Sequence, residues 1–217
     1  MDFVVAIDGP AASGKGTLAR RLGAAFSLPV LDTGRLYRAV GAALTRRGED
    51  PDDEIAAAAA ARGLDLAAIA DIDLEGGAVG EIASRVAVHP AVRDALRRLQ
   101  RDFALQSGGA VLDGRDIGTV IAPEARAKLF VTASPEARAH RRWAQLTARG
   151  DDVSLTEILA DIRRRDERDG ARASAPLKHA ADAVLLDTTH MDIDAAFDAA
   201  QRIVQAARGR PFRSADR

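Results

Sequence analysis

The segment GPAASGKGT, which runs from Gly9 to Thr17, has the residue types needed to hold a chain of phosphate groups. Its glycines let the backbone curl so that several N–H groups point at one anion, and Lys15 can reach the outer phosphates. The apolar run Phe3–Ile7 precedes this segment, and a helical pattern follows it. Strand, loop and helix in this order predict an ATP site; the alternative is an ordinary glycine-rich turn. The predicted ATP-binding residues are Gly9, Pro10, Ala11, Ala12, Ser13, Gly14, Lys15, Gly16 and Thr17.

One position departs from the general form of this phosphate loop. Gly16 stands where a hydroxyl that binds Mg²⁺ usually follows the lysine, and the hydroxyl comes one residue later, on Thr17. Thr17 is therefore the predicted contact to a nucleotide-bound Mg²⁺, either directly or through a water molecule.

The sequence disfavours two other classes of phosphate-loop protein. A GTP switch reads guanine with an Asn-Lys-x-Asp element, and this chain has no asparagine. A motor or helicase ATPase has paired acidic residues at the end of a buried strand, whereas Leu112-Asp113 continues into Gly114 and Arg115. The Gly-Lys-Gly-Thr form is typical of small-molecule kinases, in which the phosphoryl group passes to an acceptor.

Short apolar runs alternate with helical patterns along the chain, which predicts a doubly wound α/β sheet. The predicted strands are Phe3–Ile7, Val30–Leu31, Ala110–Leu112, Leu129–Val131 and Ala183–Leu186. The predicted helices beyond the one after the phosphate loop are Gly34–Arg47, Val92–Gln106, Pro135–Ala148, Leu155–Asp166 and Ile193–Arg208.

Two segments interrupt this rhythm within a single predicted domain. Residues 49–90 are rich in alanine, aspartate and glycine, with a run Ala56–Ala61 and a Gly76-Gly77 break, and are predicted to form a mostly helical insert. Residues 150–178 are dense in charge and are predicted to form a lid; the alternative is a solvated helix face. The remaining core comprises about residues 1–48, 91–149 and 179–208, followed by a frayed tail at 209–217.

Composition limits the partners and the compartment. The formal net charge is −1, which argues against a sequence-independent nucleic-acid binder because that role needs a surplus of cations. There is no cysteine, so thiolate metal sites and disulfides are excluded. The apolar runs are too short for a membrane span, so a soluble, cytoplasmic monomer with small-molecule substrates is predicted.

Five ordered motifs carry a family resemblance. They are IDGPAASGKGT, LDTGRLYRAV, VLDGRDIGTVI, EARAHRR and RRRDERDGARASAPLKHAADAVLLDTT. In this order and at these separations they closely resemble the bacterial cytidylate kinase family. The resemblance covers about residues 3–205 and is weakest between about residues 47 and 81. It implies a nucleoside-monophosphate kinase fold, with a parallel five-stranded core, an acceptor-binding insert and a mobile lid, and the use of ATP and Mg²⁺.

On the helix after the second strand, the resemblance assigns Thr33 to the acceptor sugar and Arg38 to the acceptor phosphate. The guanidinium of Arg38 offers a bidentate fork that suits a phosphate group. The alternatives are a helix N-cap for Thr33 and a surface cation for Arg38.

The motif DGRDIGT follows a buried strand at the edge of the sheet where α/β proteins bind ligands. The resemblance places Arg115 against the pyrimidine ring, with Asp116 beside it and Ser84 also near the base. Either Ser84 or Asp116 can accept a hydrogen bond from the exocyclic amine of cytosine. A structural pair between Arg115 and Asp116 is the alternative.

In the predicted lid, Arg165, Asp169 and Arg172 are spaced so that they share one face of a helix. An internal ladder of ion pairs would explain this spacing equally well. The resemblance assigns Arg165 and Asp169 to the acceptor sugar and brings Arg172 to the phosphates when the lid closes. Lys15, Arg115 and Arg172 are then the predicted catalytic residues. Arg138, Arg141 and Arg142 are weaker candidates for the site, because a helix can carry several arginines on its solvent-exposed face.

The segment Leu74–Ser84 departs most from the family, because the usual Arg-Thr pair is missing and the insert is short.

The predicted activity is transfer of the γ-phosphoryl group of ATP to CMP, with dCMP also accepted. A kinase for adenylate is the first rival, although it would be expected to carry an Asp-Gly-aromatic-Pro-Arg element in place of DGRDIGT. A nucleotide-sensing module without chemistry is the second.

Overall fold

The computed structural model describes residues 2–65, 69, 74 and 77–209. Its strands are β1 (Val4–Asp8), β2 (Val30–Asp32), β3 (Ala110–Gly114), β4 (Ala127–Thr132) and β5 (Val184–Asp187). Its helices are α1 (Lys15–Phe26), α2 (Thr33–Arg47), α3 (Glu54–Arg62), α4 (Gly77–Val86), α5 (Pro90–Ala104), α6 (Pro135–Thr147), α7 (Leu155–Gly170) and α8 (Ile193–Arg208), with a π-helical turn at Ile117–Ile121. Within the described residues no helix is long and apolar enough to cross a membrane.

The strands form one parallel sheet in the order β2-β3-β1-β4-β5. All five residues of β1 are buried, as a central strand covered on both faces requires. Val5 and Ile7 pack with α1 and α8, whereas Val4 and Ala6 face the layer that contains the π-helical turn. The predicted parallel five-stranded α/β fold is confirmed.

Acidic residues gather at the carboxyl edge of this sheet. Asp8 ends β1, and Asp32 of β2 lies in register with Asp113 of β3. The chain places β3 on one side of β1 and β4 on the other, so the loop after β1 opens at a point where the strand order reverses. Open α/β sheets bind ligands at such a point.

A separate apolar cluster joins α2 to the helices of the predicted insert. Val40 and Leu44 of α2 pack there with buried alanines of α3 and with Val86 of α4. The alanine run predicted as part of a helical insert does form α3, and Asp53 caps it by accepting from the N–H groups of Ile55 and Ala56. Because alanine side chains are small, helices can approach each other closely here.

The lid prediction needs one correction. Helix α7 runs to Gly170 rather than to Asp166, so Asp169 is helical, but Arg172 lies beyond its end and does not share a helix face with Arg165. A capping box between Ser154 and Glu157 fixes the start of α7. Glu75 and Gly76, the latter one half of the predicted glycine break, and the predicted tail from residue 210 lie outside the described residues.

Candidate active site

The phosphate loop takes the form that its glycines predict. A Cβ on Gly9 would lie 1.9 Å from the carbonyl oxygen of Val131, so only glycine fits between the loop and β4. Gly14 has a φ of 91° and precedes α1 without any side-chain cap. The first N–H groups of α1 are therefore left for an anion. The hydroxyl of Ser13 is also buried without a hydrogen-bond partner among the described residues.

Lys15, the first residue of α1, is buried under this loop. Its ammonium donates to the carbonyl of Pro10 at 2.9 Å and lies 3.8 Å from the carboxylate of Asp113. Burial and the nearby charge of Arg115 lower the pKa of Lys15 to about 8. A bound phosphate would offset both effects, because negative charge stabilises the ammonium.

Asp8 holds the loop that follows β3. Its two carboxylate oxygens accept from the backbone N–H groups of Ile117 at 2.8 Å and Gly118 at 2.7 Å. Burial nevertheless raises the pKa of Asp8 to about 6, and the charge of Asp116 adds to this increase. The sequence did not single out Asp8, since its partners are distant backbone groups that carry no pattern.

The raised pKa of Asp8 predicts a dependence of stability on pH. Between about pH 4 and pH 6 the folded state holds a proton that the unfolded state releases, so the free energy of unfolding falls as the pH rises. The contribution of Asp8 is up to about 1.4 kcal/mol per pH unit. Denaturant titrations across this range should give a smaller decrease for Asp8→Asn than for the unaltered chain. Parallel profiles for the two proteins would show that Asp8 does not titrate there.

Thr33 and Arg38, both on α2, line a cavity together with the phosphate loop. The Thr33 hydroxyl donates to the carbonyl of Asp113 at 2.8 Å, while Asp32 occupies the N-cap position of α2, so the N-cap alternative for Thr33 is wrong. The guanidinium of Arg38 lies 2.7 Å from the carboxylate of Asp32 and is partly exposed. Both residues stand at the edge of the sheet beside the phosphate loop.

Arg115 and Asp116 are not a structural pair. The Nε of Arg115 donates to Asp169 of α7 at 2.9 Å, and Arg172 binds the other oxygen of the same carboxylate. Burial would raise the pKa of Asp169, but the charges of Arg115 and Arg172 lower it below its ordinary value. The predicted lid residues are thus joined to the loop after β3.

Asp116 pairs instead with Arg93 of α5, at 2.5 Å, and both side chains are about 5% exposed. The Arg93 guanidinium lies 5.7 Å from the ring centroid of Tyr37, so a cation–π contact also stabilises its positive charge. Our sequence analysis missed Arg93. A signal existed, because Arg93 shares its helical face with the buried residues Leu96 and Gln100, where an arginine needs a partner.

Several polar side chains around the loop after β3 have buried atoms without hydrogen-bond partners among the described residues, including Arg38, Arg93 and Arg172 at their Nε atoms. The hydroxyl of Ser84 and the Nε of Arg165 are buried without hydrogen-bond partners. Burial and the charge of Arg115 lower the pKa of Arg165 to about 10. Buried polar atoms without partners are costly, and a polar ligand would satisfy them.

One cavity of about 320 Å³ brings these groups together. The predicted site residues that line it are Ala11, Ala12, Ser13, Gly14, Lys15, Gly16, Thr17, Thr33, Arg38, Ser84, Arg115, Asp116, Arg165, Asp169 and Arg172. Arg93 also lines it, whereas Gly9 and Pro10 do not. A second cavity of about 370 Å³ shares the loop residues and extends between α6 and the start of α8.

The arginines of α6 take separate roles. Arg138 is buried and binds Asp166 of α7 through two hydrogen bonds and the carbonyl of Ala11 through a third, so it ties α7 to the phosphate loop. Arg141 donates to Thr188, and Arg142 donates to Gln145 at 2.9 Å. Arg141 and Arg142 line the second cavity.

Comparisons with known proteins agree with this geometry. The family model described as cytidylate kinase matches residues 5–207. The chain is 62% identical to a cytidylate kinase of Caulobacter sp. (strain K31), with 97% of each chain covered. It is also 62% identical to a cytidylate kinase of Xanthobacter autotrophicus (strain ATCC BAA-1158 / Py2), with 95% of this chain and 99% of the relative covered.

A solved structure of an uncharacterized protein from Eubacterium ventriosum ATCC 27560 shares the fold. Its TM-score is 0.54 at 13% identity, and the match covers 97% of this chain and all of that one. At this identity the likeness concerns the fold alone. The family itself follows from the matched model and from the relatives: this chain belongs to the cytidylate kinase family.

Proposed function

We propose that this chain transfers the γ-phosphoryl group of ATP to CMP or dCMP and releases ADP with CDP or dCDP. Family membership supports the reaction type. The observation that carries the assignment is the shared cavity, which is lined both by Lys15 and by the Arg93–Asp116 pair. We expect one chain to suffice as a monomer, because all of these residues come from it.

The donor nucleotide enters from the side of α6. Its base occupies the cavity between α6 and α8, and its phosphates lie over the phosphate loop. The uncapped N–H groups of α1 then bind the β-phosphate, and Lys15 contacts the transferred group. In this placement each of the nine predicted ATP-binding residues either contacts the phosphates or belongs to the loop that surrounds them.

The acceptor phosphate lies among arginines. Arg38 stands on α2, Arg115 follows β3, and Arg172 follows α7, so they approach the same space from three elements. Transfer brings several negative charges together, and fixed cations lower the free energy of that arrangement. One acceptor phosphate oxygen attacks the γ-phosphorus as the bond to the β-phosphate oxygen breaks. Neither step needs a nucleophilic side chain from the protein.

The base lies deeper in the cavity, against Arg93, Asp116 and Ser84. The Arg93 guanidinium can donate to O2 and N3 of cytosine, while the carboxylate of Asp116 or the hydroxyl of Ser84 accepts from the exocyclic amine. This differs from the position against the ring that the family resemblance implies for Arg115. Arg115 lies beside Lys15 and Asp169, which suits the phosphate end.

Arg165 and Asp169 face the acceptor sugar from α7. Asp169 accepts from Arg115 and Arg172, while the Nε of Arg165 is free for a ligand. We propose that residues 150–178 act as the lid and residues 49–90 as the acceptor-binding insert. Closure of both would exclude water, which otherwise competes with CMP for the phosphoryl group.

The residues at the phosphate loop suit a partly hydrated Mg²⁺. Among the described residues no three His, Asp or Glu side chains are grouped to hold a metal alone. The available oxygens are the Thr17 hydroxyl and the carboxylates of Asp32 and Asp113, and Mg²⁺ prefers oxygen ligands while retaining several waters. When bound with ATP, the ion would neutralise charge on the phosphates.

Transfer of label tests the proposal. With ATP labelled in its γ-phosphoryl group and unlabelled CMP, we expect the label in CDP. The amount of CDP should equal the amount of ADP formed. ADP without labelled CDP would indicate hydrolysis, and the absence of both would favour a nucleotide-sensing module.

A further inference from the structure

Helix α7 contacts helix α4 directly across the rim of the acceptor cavity. Arg168 of α7 donates to a carboxylate oxygen of Glu81 on α4 at 2.8 Å. The side chains are 27% and 39% exposed, so the pair is partly shielded from solvent. Neither residue lines the cavity, although their neighbours in sequence do.

Those neighbours form the second part of the contact. A Cβ on Gly80 would lie 3.4 Å from the guanidinium of Arg165, so this guanidinium lies against the backbone of α4. Gly80 and Arg165 both line the acceptor cavity. The depth at which Arg165 enters the cavity therefore depends on the distance between α7 and α4.

Glu81 faces a concentration of positive charge. The pKa of Glu81 is lowered by its hydrogen bond to Arg168, against the effect of burial, and the charges of Arg165 and Arg164 act in the same direction. All three arginines belong to α7. Removing the carboxylate would leave these cations facing α4 without its negative charge.

We propose that Glu81 is a positioning residue, which fixes α7 against α4 through Arg168 and so sets how closely Arg165 meets the acceptor nucleotide. This rests on the proposed function, in which Arg165 contacts the acceptor sugar. In the proposed function the donor base occupies the cavity between α6 and α8, and no described residue of α4 or α7 lines that cavity. The Glu81–Arg168 contact should consequently influence CMP binding and the exclusion of water, and leave ATP binding nearly unchanged.

The test compares Glu81→Gln with a matched control on α7. Glu81→Gln should raise KM for CMP by about threefold to fivefold, as expected for a partly exposed ion pair. KM for ATP should change by less than about twofold, and the fraction of ATP that is hydrolysed without CDP formation should rise. Asp161→Asn removes a carboxylate that pairs with Arg164 inside α7 and leaves the Glu81–Arg168 bond intact, so it should change none of these quantities.

A double-mutant cycle identifies the partner. If Glu81 acts through Arg168, the Glu81→Gln/Arg168→Gln double variant should be no worse than the more affected single variant. Multiplied effects would overturn the assignment of Arg168 as the partner. An equal rise in both KM values, or the same rise for Asp161→Asn, would overturn the positioning role.

A readout without turnover separates this proposal from the proposed function. In the free protein, amide hydrogens of α4 and α7 should exchange faster in Glu81→Gln than in Asp161→Asn. Unchanged exchange, together with an unchanged KM for CMP, would refute the contact's role even if CDP is formed. Absence of CDP from the unaltered chain, with faster exchange in Glu81→Gln, would instead refute the proposed function and leave the contact between helices established.

Discussion

Replacing Lys15 with alanine is expected to lower kcat for CDP formation by about a hundredfold to a thousandfold or more. The Lys15 ammonium is held by the carbonyl of Pro10 under the phosphate loop, so it meets charge on the transferred group without having to move. KM for CMP should change little, because the acceptor groups belong to other elements. Steady-state kinetics at saturating ATP and CMP measure the effect.

The fold should survive this substitution. Burial lowers the pKa of Lys15 to about 8, which means that the folded protein disfavours the charged form and loses little when it is removed. Arg98→Ala is a suitable control, since the Arg98 side chain is 91% exposed on α5. Near-normal kcat in a folded Lys15→Ala protein would remove the donor-site assignment.

Asp116→Asn is expected to reduce kcat/KM for CMP by about tenfold to a hundredfold, the range for losing a hydrogen bond to a charged group. The amide can no longer accept from the cytosine amine with the same charge, and it leaves Arg93 without its counter-ion. UMP carries a carbonyl in place of that amine, so its kcat/KM should fall less. The ratio of CMP to UMP utilisation should therefore decrease.

This ratio is the informative quantity because the substitution also removes half of a buried ion pair and is expected to destabilise the protein. Both acceptors are used by the same folded population, so partial unfolding lowers both rates equally and leaves the ratio unchanged. Asp102→Asn, on the exposed side of α5, serves as the control. A ratio unaffected by Asp116→Asn would place base recognition elsewhere in the cavity.

The sequence predicted the fold because its signals are local. The run Phe3–Ile7 is apolar throughout, and β1 is buried on both faces; the spacing of Gly9, Gly14 and Lys15 likewise determines the phosphate loop within a few residues. Family resemblance supplied Thr33 and Ser84, which carry no local signal. The cavity brings both residues to the predicted site, although their contacts with nucleotide remain proposals.

The contacts that the sequence did not predict join residues that are distant along the chain. Arg93 binds Asp116 across 23 positions, and Asp8 binds the backbone of Ile117 across 109. Arg93 lies in a helix with several other arginines, and only tertiary packing separates the buried one from the solvated ones. The extension of α7 past Asp166 was also missed, because a charge-dense run such as RRRDERDG has no apolar stripe to mark where it ends.

If this site phosphorylates cytidine monophosphates, the values of kcat/KM measured for CMP, dCMP, UMP and AMP with ATP and Mg²⁺ should show it. We expect CMP and dCMP to be used well above UMP, because uracil presents the wrong hydrogen-bonding groups to Arg93 and Asp116. Sites of this kind discriminate by as much as about 10⁴ to 10⁵. AMP should be negligible, since a purine would overfill the base end of the cavity. Use of AMP as efficient as that of CMP would show that the site does not select cytidine monophosphates.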